Sequence, residues 1–301
     1  MIVHLNGKLV PAAEATVSVF DRGFIFGEGV YEGLRSFRGR VVAMDRHVRR
    51  MQDGLRECRI DWDPARMAPM TEELLNANRM PDAFIYWQVT RGHPAAGQPV
   101  RTRTPQGPMT PTVFGYCSAQ PPIEKYAPPS HPPTISCAVR PDTRWHRGHL
   151  KSISLLGGVL AAIEAQEAGA QDAILVRDGL VTEGTASNVL LAIPKRGGEI
   201  ELVTPSLESA SILAGVTRAL ELEHGPGISS RKVLVDELTR ASEIMLLGST
   251  SMVTSVIELD GRPVGDGKPG PQSRRLLNAL INVIRQELGL STATLPQPAA
   301  V

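Results

Sequence analysis

Apolar and polar positions recur along this chain with two different periods, and the changes from one to the other mark its elements. Short β-rich runs at Ile2 to Leu5 and Lys8 to Val10 flank Asn6-Gly7, a pair that tolerates the positive φ angles of a two-residue turn, so a hairpin is predicted. Tyr31 to Phe37, Arg38-Gly39 and Arg40 to Met44 repeat that arrangement. Asp45 is then expected to cap a helix running to about Cys58, with Val48, Met51 and Leu55 on one stripe and basic residues off it. Pro64 to Arg79 reads as a second helix and Ala83 to Thr90 as a strand.

From Ser118 to Pro133 prolines crowd the chain and remove backbone donors, which predicts an interdomain linker. Beyond it, Thr134 to Val139 reads as a strand and Leu155 to Ala168 as an alanine-rich helix ended by Gly169. Ala173 to Val176, Asp178-Gly179 and Leu180 to Thr182 form another hairpin pattern, followed by a strand at Asn188 to Ile193 and an exposed turn at Lys195 to Glu199. Ser209 to Leu222 reads as a helix, and Ile244 to Leu247 as a strand entering Gly248-Ser249-Thr250-Ser251. The last stretch, Ser291 to Val301, lacks periodicity and is expected to fray. No fixed repeat is present, which argues against a solenoid. The pattern implies a mixed α+β or α/β fold in two domains, a smaller one over 1–117 and a larger one over 134–301, with the linker at 118–133.

Composition narrows the partners. The chain has 301 residues, enough for two cores, and its 32 basic and 31 acidic residues nearly cancel. No whole-molecule field would therefore draw nucleic acid or an anionic membrane, and small molecules are the expected partners. Cys58, Cys117 and Cys137 are widely spaced with no CxxC, which suits free thiols in a reducing compartment, and a cytoplasmic location is expected. His4, Asn6 and Lys8 interrupt the start of the chain, and no run of apolar residues is long enough to span a bilayer, so neither a signal peptide nor a membrane anchor is expected. The seven histidines, His146 and His149 among them, lack the spacing and acidic company of a metal site, and none is assigned. Gly23, Gly27 and Gly29 do not follow a strand, so they do not make a dinucleotide fingerprint.

Three segments carry candidate chemistry. Lys151 lies in Gly148-His149-Leu150-Lys151-Ser152-Ile153-Ser154, where by itself it could as well be a lysine reaching to solvent. Glu183 follows a hairpin strand in Thr182-Glu183-Gly184 and could be a surface carboxylate. Ser249-Thr250-Ser251 after an apolar strand could be a polar loop, or the hydroxyls and amides that a phosphate needs.

In register along nearly the whole chain, these segments resemble the class IV aminotransferases, and most closely the D-amino acid aminotransferases among them. The resemblance is carried by Asp21-Arg22-Gly23-Phe24-Ile25-Phe26-Gly27-Glu28-Gly29-Val30-Tyr31-Glu32, Ile85-Tyr86-Trp87-Gln88-Val89-Thr90-Arg91-Gly92, Lys151-Ser152-Ile153-Ser154-Leu155-Leu156-Gly157, Thr182-Glu183-Gly184 with Ser187-Asn188, Leu213-Ala214-Gly215-Val216-Thr217-Arg218, and Ser249-Thr250-Ser251 with Val256-Ile257-Glu258-Leu259-Asp260-Gly261. It implies fold type IV, pyridoxal 5'-phosphate as cofactor, a homodimer, and amino acids or amines and 2-oxo acids as substrates. Lys151 would then carry the cofactor as a Schiff base and move the substrate proton. Glu183 would face the pyridine nitrogen and keep it protonated. Arg50 matches the family's phosphate-binding arginine, with Arg49 as the competing candidate, and the Val216 and Thr217 amides with Ser249 and Thr250 would complete the phosphate cup. Leu213 would pack under the ring, and Tyr31, Tyr86 and Ser187 would line the substrate side.

One departure stands out. The D-amino acid enzymes hold the substrate carboxylate with an Arg-x-His pair after the Val89-Thr90-Arg91-Gly92 strand, and here that place reads His93-Pro94-Ala95-Ala96-Gly97-Gln98. Strand periodicity puts Tyr31, Gly33 and Arg35 on one face, which makes Arg35 the candidate cation, with Arg91, Arg101 and Arg103 in reserve. The long polar loop at His93 to Gln106 is expected to complete a partner's pocket in the dimer. Branched-chain L-amino acids or (R)-amines remain alternative substrates: Tyr31-Glu32-Gly33-Leu34-Arg35 resembles the branched-chain enzymes, whereas Tyr86 stands where those carry an arginine. An aminodeoxychorismate-type lyase and a non-catalytic binding protein on the same fold are the remaining readings.

Overall fold

The computed structural model describes residues 1–126 and 131–292. Residues 127–130 of the expected linker and the tail beyond residue 292 lie outside the described residues. The chain forms two compact units, one made of Met1–Pro122 with Leu150–Leu155, the other of Ile123–His149 and the chain from Leu156 onward. Lys151 therefore folds with the N-terminal unit, although the chain on either side of Leu150–Leu155 belongs to the other.

In the first unit, β1 (Ile2–Leu5) and β2 (Lys8–Pro11) join through Asn6 at φ 50° and Gly7 at φ 85°, the turn that the sequence predicts. A short helix absent from the sequence reading, α1 (Arg22–Phe26), starts where the Asp21 side chain accepts a bond from the Gly23 amide at 2.7 Å. β3 (Gly29–Phe37) turns at Arg38-Gly39 into β4 (Arg40–Val41). α2 (Met44–Cys58) follows, and Asp45 does not cap it: Ala43 holds the cap position at φ 49°, while Asp45 sits in the first turn and pairs with Arg49. The helix expected over 64–79 is divided, with a 3-10 turn at Pro64–Arg66 capped by Asp63 and then α3 (Met67–Asn78). β5 (Ala83–Thr90) has its expected limits, and β6 (Thr112–Ala119), unforeseen, ends where the expected linker begins.

These strands form one antiparallel sheet in the order β2-β1-β6-β5-β3-β4. Alternation gives it two faces. Val30, Leu34, Ile85, Trp87 and Val89 point toward α2 and α3, where they pack with Met51, Leu55 and Leu74. Trp87 is fully buried and donates to the Thr71 hydroxyl at 2.8 Å. The opposite face carries Tyr31, Phe84, Tyr86, Phe114 and Tyr116, whose rings lie 5.3 to 6.5 Å apart in successive contacts.

The second unit is built on β7 (Thr134–Pro141), α4 (Leu156–Glu167), β8 (Asp172–Arg177), β9 (Leu180–Gly184), β10 (Asn188–Pro194) and β11 (Ile200–Pro205). It continues through α5 (Val216–His224), β12 (Ile228–Arg231), α6 (Glu237–Arg240), β13 (Glu243–Gly248), β14 (Met252–Leu259), β15 (Arg262–Pro263) and α7 (Pro271–Glu287). The sheet order is β12-β11-β10-β13-β14-β7-β8-β9, with β15 paired to β14. β7 runs parallel to both β14 and β8, and β12 parallel to β11. Val189, Leu191, Val203, Ile244, Leu246 and Val256 fill one core of this sheet. α7 lies in a stretch for which the sequence reading assigned no element, although Leu276, Leu277, Leu280, Ile281 and Ile284 bury one helical stripe.

The helix expected over 209–222 starts seven residues later, at Val216. The serines before it use their hydroxyls locally, Ser206 accepting from the Ser209 amide at 3.1 Å and Ser211 from the Gly148 amide at 2.9 Å, which competes with helix formation. Among the described residues no helix is long and apolar enough to cross a membrane, and no cluster of His, Cys, Asp or Glu is placed to hold a metal ion. The three cysteines are free thiols.

Candidate active site

Each unit carries its own group of functional side chains. In the first, the segment of Lys151 adds itself beside β3: the Tyr31 amide donates to the Lys151 carbonyl at 2.9 Å, the Ile153 amide donates to the Gly29 carbonyl at 3.1 Å, and Val30 pairs with Ser152. The Ser154 hydroxyl ties the far end to the Gly27 carbonyl at 3.0 Å. Backbone pairing thus fixes Lys151 against Tyr31, and its Nζ lies 4.3 Å from the centre of the Tyr31 ring. Tyr31 stacks on Tyr86 at 5.5 Å, and the Tyr86 hydroxyl donates to the Gln88 side chain at 2.9 Å. Burial pushes the Tyr86 phenol up, so it stays a neutral donor.

Behind Tyr31, on the helix side of β3, lies Glu32, fully buried. Arg50 of α2 donates to it through Nε and Nη2, both at 2.7 Å, and His47 meets it through Nδ1 at 2.7 Å. Burial alone would raise the Glu32 pKa, but the charge and hydrogen bonds of Arg50, with His47 added, bring it down to about 2. His47 is lowered, burial outweighing its bond to Glu32, so it is a neutral ring giving its Nδ1 proton to the carboxylate. The Lys151 charge also presses on His47. Glu32 thereby fixes Arg50 at the end of two hydrogen bonds. Arg49, the competing candidate for phosphate, is exposed and engaged with Asp45 in its own helical turn. Glu32 and His47 were missed as functional residues; Glu32 sits inside a quoted motif, but only the packing of α2 on β3 shows what it holds.

In the second unit Glu183, the last residue but one of β9, is almost fully buried. Its Oε1 accepts from Arg144 Nη1 at 2.6 Å, and its Oε2 from the Leu213 amide at 3.0 Å and the Asn188 side chain at 3.2 Å. Arg144 is in turn gripped by Asp142, at 2.9 Å through Nε and 2.8 Å through Nη2, and Asp142 also accepts from the Thr182 hydroxyl at 2.9 Å. Asp142, which burial alone would raise, is held below the usual carboxylate range by its hydrogen bonds and charge contacts with Arg144, Thr182 and Arg177. Arg144 was also missed, because nothing in the sequence links it to a glutamate 39 positions on.

Leu213, Val216 and Thr217 follow in one run. Gly215 sits at the start of α5 in extended conformation with no side chain capping the helix, which leaves the first amides, those of Val216 and Thr217, open for a ligand. A Cβ at Gly215 would meet the Asn188 side-chain oxygen at 1.9 Å, so only glycine allows Asn188 to keep its bond to Glu183. Ser249 and Thr250 lie in the turn from β13 to β14. Ser187 approaches that turn, its Cβ 3.9 Å from where a Gly248 Cβ would lie, and its buried hydroxyl has no hydrogen-bond partner among the described residues.

The cations proposed for a substrate carboxylate are placed less favourably. Arg35 shares the face of Tyr31, but its guanidinium donates to the Pro121 carbonyl and lies 4.5 Å over the Phe37 ring, further along the strand from Lys151. Between Tyr31 and Arg35, the space over Gly33 is taken by Phe84, whose ring would lie 3.0 Å from a Cβ at that position. Arg35 is thus engaged within its own unit, because the strand keeps its period while packing decides where a long side chain ends. Arg91 spends each of its nitrogens on Glu28 and on the carbonyls of Cys58, 2.6 Å away, and Arg59, 2.7 Å away. Arg101 and Arg103 are exposed on the loop that Arg22 holds through the Thr102 and Arg103 carbonyls.

Comparison with known proteins gives the family of the chain. Residues 29–259 match the family described as amino-transferase class IV. The chain is 36% identical over 293 residues to the D-alanine aminotransferase of Bacillus licheniformis, covering 95% of this chain and 98% of that protein. It is 32% identical over 283 residues to a putative branched-chain-amino-acid aminotransferase of Methanocaldococcus jannaschii, covering 92% and 94% of the two chains. Among solved structures, the branched-chain aminotransferase of Thermoproteus uzoniensis with norvaline matches at a TM-score of 0.78 and 25% identity, over 96% of this chain and 95% of that one. A hypothetical aminotransferase of Mycobacterium tuberculosis in its PLP-bound form matches at a TM-score of 0.76 over 95% and 100%, a likeness of fold at 20% identity. Sequence and fold agree over almost the full length, and this chain belongs to the class IV aminotransferases, pyridoxal-phosphate-dependent enzymes of fold type IV.

Proposed function

We propose that this enzyme transfers an amino group between a D-amino acid, such as D-alanine or D-glutamate, and a 2-oxo acid in a ping-pong cycle, with Lys151 as the lysine that binds the cofactor. The observation that carries the reading is the fixed approach of Lys151 Nζ to the Tyr31 ring, imposed by backbone pairing to β3.

The residues fit pyridoxal phosphate. Within the second unit, the Ser187 hydroxyl, which has no partner among the described residues, the open amides at the start of α5 and the turn of Ser249 and Thr250 are the donors a phosphate requires; for Arg50, in the first unit, a phosphate role rests on the family resemblance. Glu183, with both oxygens already oriented, suits a pyridine nitrogen, and Leu213 is positioned by the same carboxylate. When bound, the cofactor accepts the electrons left as the substrate loses its α-proton. Lys151 Nζ takes that proton and returns it on the other side of the transfer. Tyr31 and Tyr86 form the apolar wall beside Nζ that limits water.

The D-alanine aminotransferase relatives favour D-amino acids. With Arg35 and Arg91 engaged in the fold, we assign the substrate carboxylate to Arg101 or Arg103. The second reading, branched-chain L-amino acids or (R)-amines, is favoured by the branched-chain relative and by structural neighbours. A half-reaction panel of D- and L-amino acids and (R)- and (S)-1-phenylethylamine, followed by cofactor absorbance, tests the assignment: rapid conversion by D-alanine or D-glutamate is expected, and conversion by L-leucine or the (R)-amine alone would replace it.

We further propose a cytoplasmic homodimer. α4 leaves Leu156, Val159, Leu160 and Ile163 exposed at helical spacing, and Val17, Val19, Phe20 and Phe24 are exposed on the other unit. Sedimentation at assay concentration is expected to show a dimer, and a fully active monomer would remove this part of the proposal.

A further inference from the structure

On the helix side of the N-terminal sheet, opposite the face of Tyr31 and Tyr86, a cavity of about 330 Å³ is bounded by His4, Asp61, Trp62, Asp63, Arg66 and Met70. His4 is on that side because its ring packs edge-on against Trp87, 5.0 Å away, and Trp87 belongs to the core under α3. His4 is only 2% exposed, yet its Nδ1 has no hydrogen-bond partner among the described residues. The indole Nε1 of Trp62 is likewise buried without one. Two buried polar atoms at one cavity, neither with a partner among the described residues, are costly unless something fills it, since each forgoes a hydrogen bond.

The charges around these atoms define what would fit. Arg66 is exposed and acts electrostatically on His4. Asp61 is exposed on the same rim, and Asp63 spends one oxygen on the Ala65 amide at 3.0 Å. A simple anion would meet Arg66 and the Trp62 N–H but also two carboxylates. A simple cation would meet the carboxylates but also Arg66. A molecule bearing both charges satisfies all of them. Burial and the Arg66 charge, opposed by Glu73, lower the His4 pKa and keep the ring neutral, so it offers one donor and one acceptor.

We propose that this cavity is a binding site for a small zwitterion of the amino-acid class, separate from the catalytic lysine, with the carboxylate on Arg66 and Trp62 Nε1 and the ammonium toward Asp61, Asp63 and His4. Its volume lies at the small end for ligand pockets, which suits one amino acid rather than a peptide or nucleotide.

The test uses the holoenzyme and a local signal. The indole N–H resonance of Trp62, identified by its absence in Trp62→Phe, is followed by NMR while N,N-dimethylglycine is added; this zwitterion has no primary amine and cannot enter the transamination cycle. A saturable shift of Trp62 is expected, with affinity at least about tenfold weaker for acetate or trimethylammonium alone and similarly weakened by Arg66→Ala. Arg66 is exposed, so that variant keeps the fold, and Asp61→Asn should weaken dimethylglycine while sparing acetate. No saturable shift, meaning a cavity that holds only water, overturns the proposal. So does equal binding of acetate, which would make the site one for anions, or a shift unchanged in Arg66→Ala. Because the probes do not report on Lys151, failure here leaves the transaminase reading untouched.

Discussion

Arg144 donates to the Glu183 carboxylate at 2.6 Å while its other two nitrogens are held by Asp142. One guanidinium therefore serves two buried carboxylates, and Asp142 also fixes Thr182, the residue before Glu183. Arg144→Ala would take this guanidinium from Glu183, while Asp142 would keep Arg177 at 2.9 Å. A stability loss of roughly 3 kcal/mol is expected, the low end for breaking a buried pair because Arg144 keeps some exposure. Urea unfolding measures it. A loss below about 1 kcal/mol, the range of surface pairs, would show that Asn188 and the Leu213 amide suffice for Glu183.

Lys151→Ala is expected to abolish the yellow colour of the holoenzyme and its transaminase activity. Borohydride reduction followed by peptide mapping checks the attachment point, and cofactor found on another lysine would refute the assignment. Glu183→Gln should retain the cofactor but slow proton transfer by several decades, since a neutral amide does not hold a pyridine nitrogen protonated. Single-turnover absorbance separates that effect from loss of binding.

Arg35→Ala should lower stability and reduce turnover of D-alanine and (R)-1-phenylethylamine by similar factors, as expected for a side chain buried on Phe37 and Pro121. Arg101→Ala or Arg103→Ala should instead raise KM for D-alanine by about one to three decades and spare the amine, which has no carboxylate. The reverse pattern would return Arg35 to the substrate site.

Glu221, buried in α5 with neither carboxylate oxygen hydrogen-bonded among the described residues, has its pKa raised by burial from 4.5 to about 8. The folded protein thus retains a proton that the unfolded chain loses. The stability this provides is complete below about pH 4.5 and falls as pH rises toward 8, by at most about 1.4 kcal/mol per pH unit. Glu221→Gln should flatten that decline, with Tm near wild type at pH 5 and above it at pH 9. Parallel melting curves for both proteins across that range would show the buried acid to be ionised or solvated already.

The residues most readable in sequence are those whose signals are local. Asn6-Gly7, Arg38-Gly39 and Asp178-Gly179 all adopt the positive φ angles that their hairpins require, and β5 begins and ends where its composition changes. Local signals also misled. Asp45 has the chemistry of a helix cap, but the chain enters α2 through a left-handed Ala43; the serines before α5 look like a helix start but bond to nearby groups. α7 has a clear apolar stripe and was overlooked, whereas β6 gains its place only by lying between β1 and β5.

By itself the sequence determined the family, through motifs kept in register over most of the chain, and with it the expectation that Lys151, Glu183 and Arg50 carry the chemistry. Tertiary structure alone decided which charges are committed and to what. Arg50 and His47 meet Glu32 because α2 packs on β3, and Arg144 reaches Glu183 across 39 positions of chain. Arg35 keeps the strand face that its spacing predicts, and its guanidinium ends at the Pro121 carbonyl and the Phe37 ring because a long side chain ends wherever packing and hydrogen bonding stabilise it most. Alternation fixes the direction in which a side chain leaves the backbone; the partners it meets are set by contacts between segments distant in sequence.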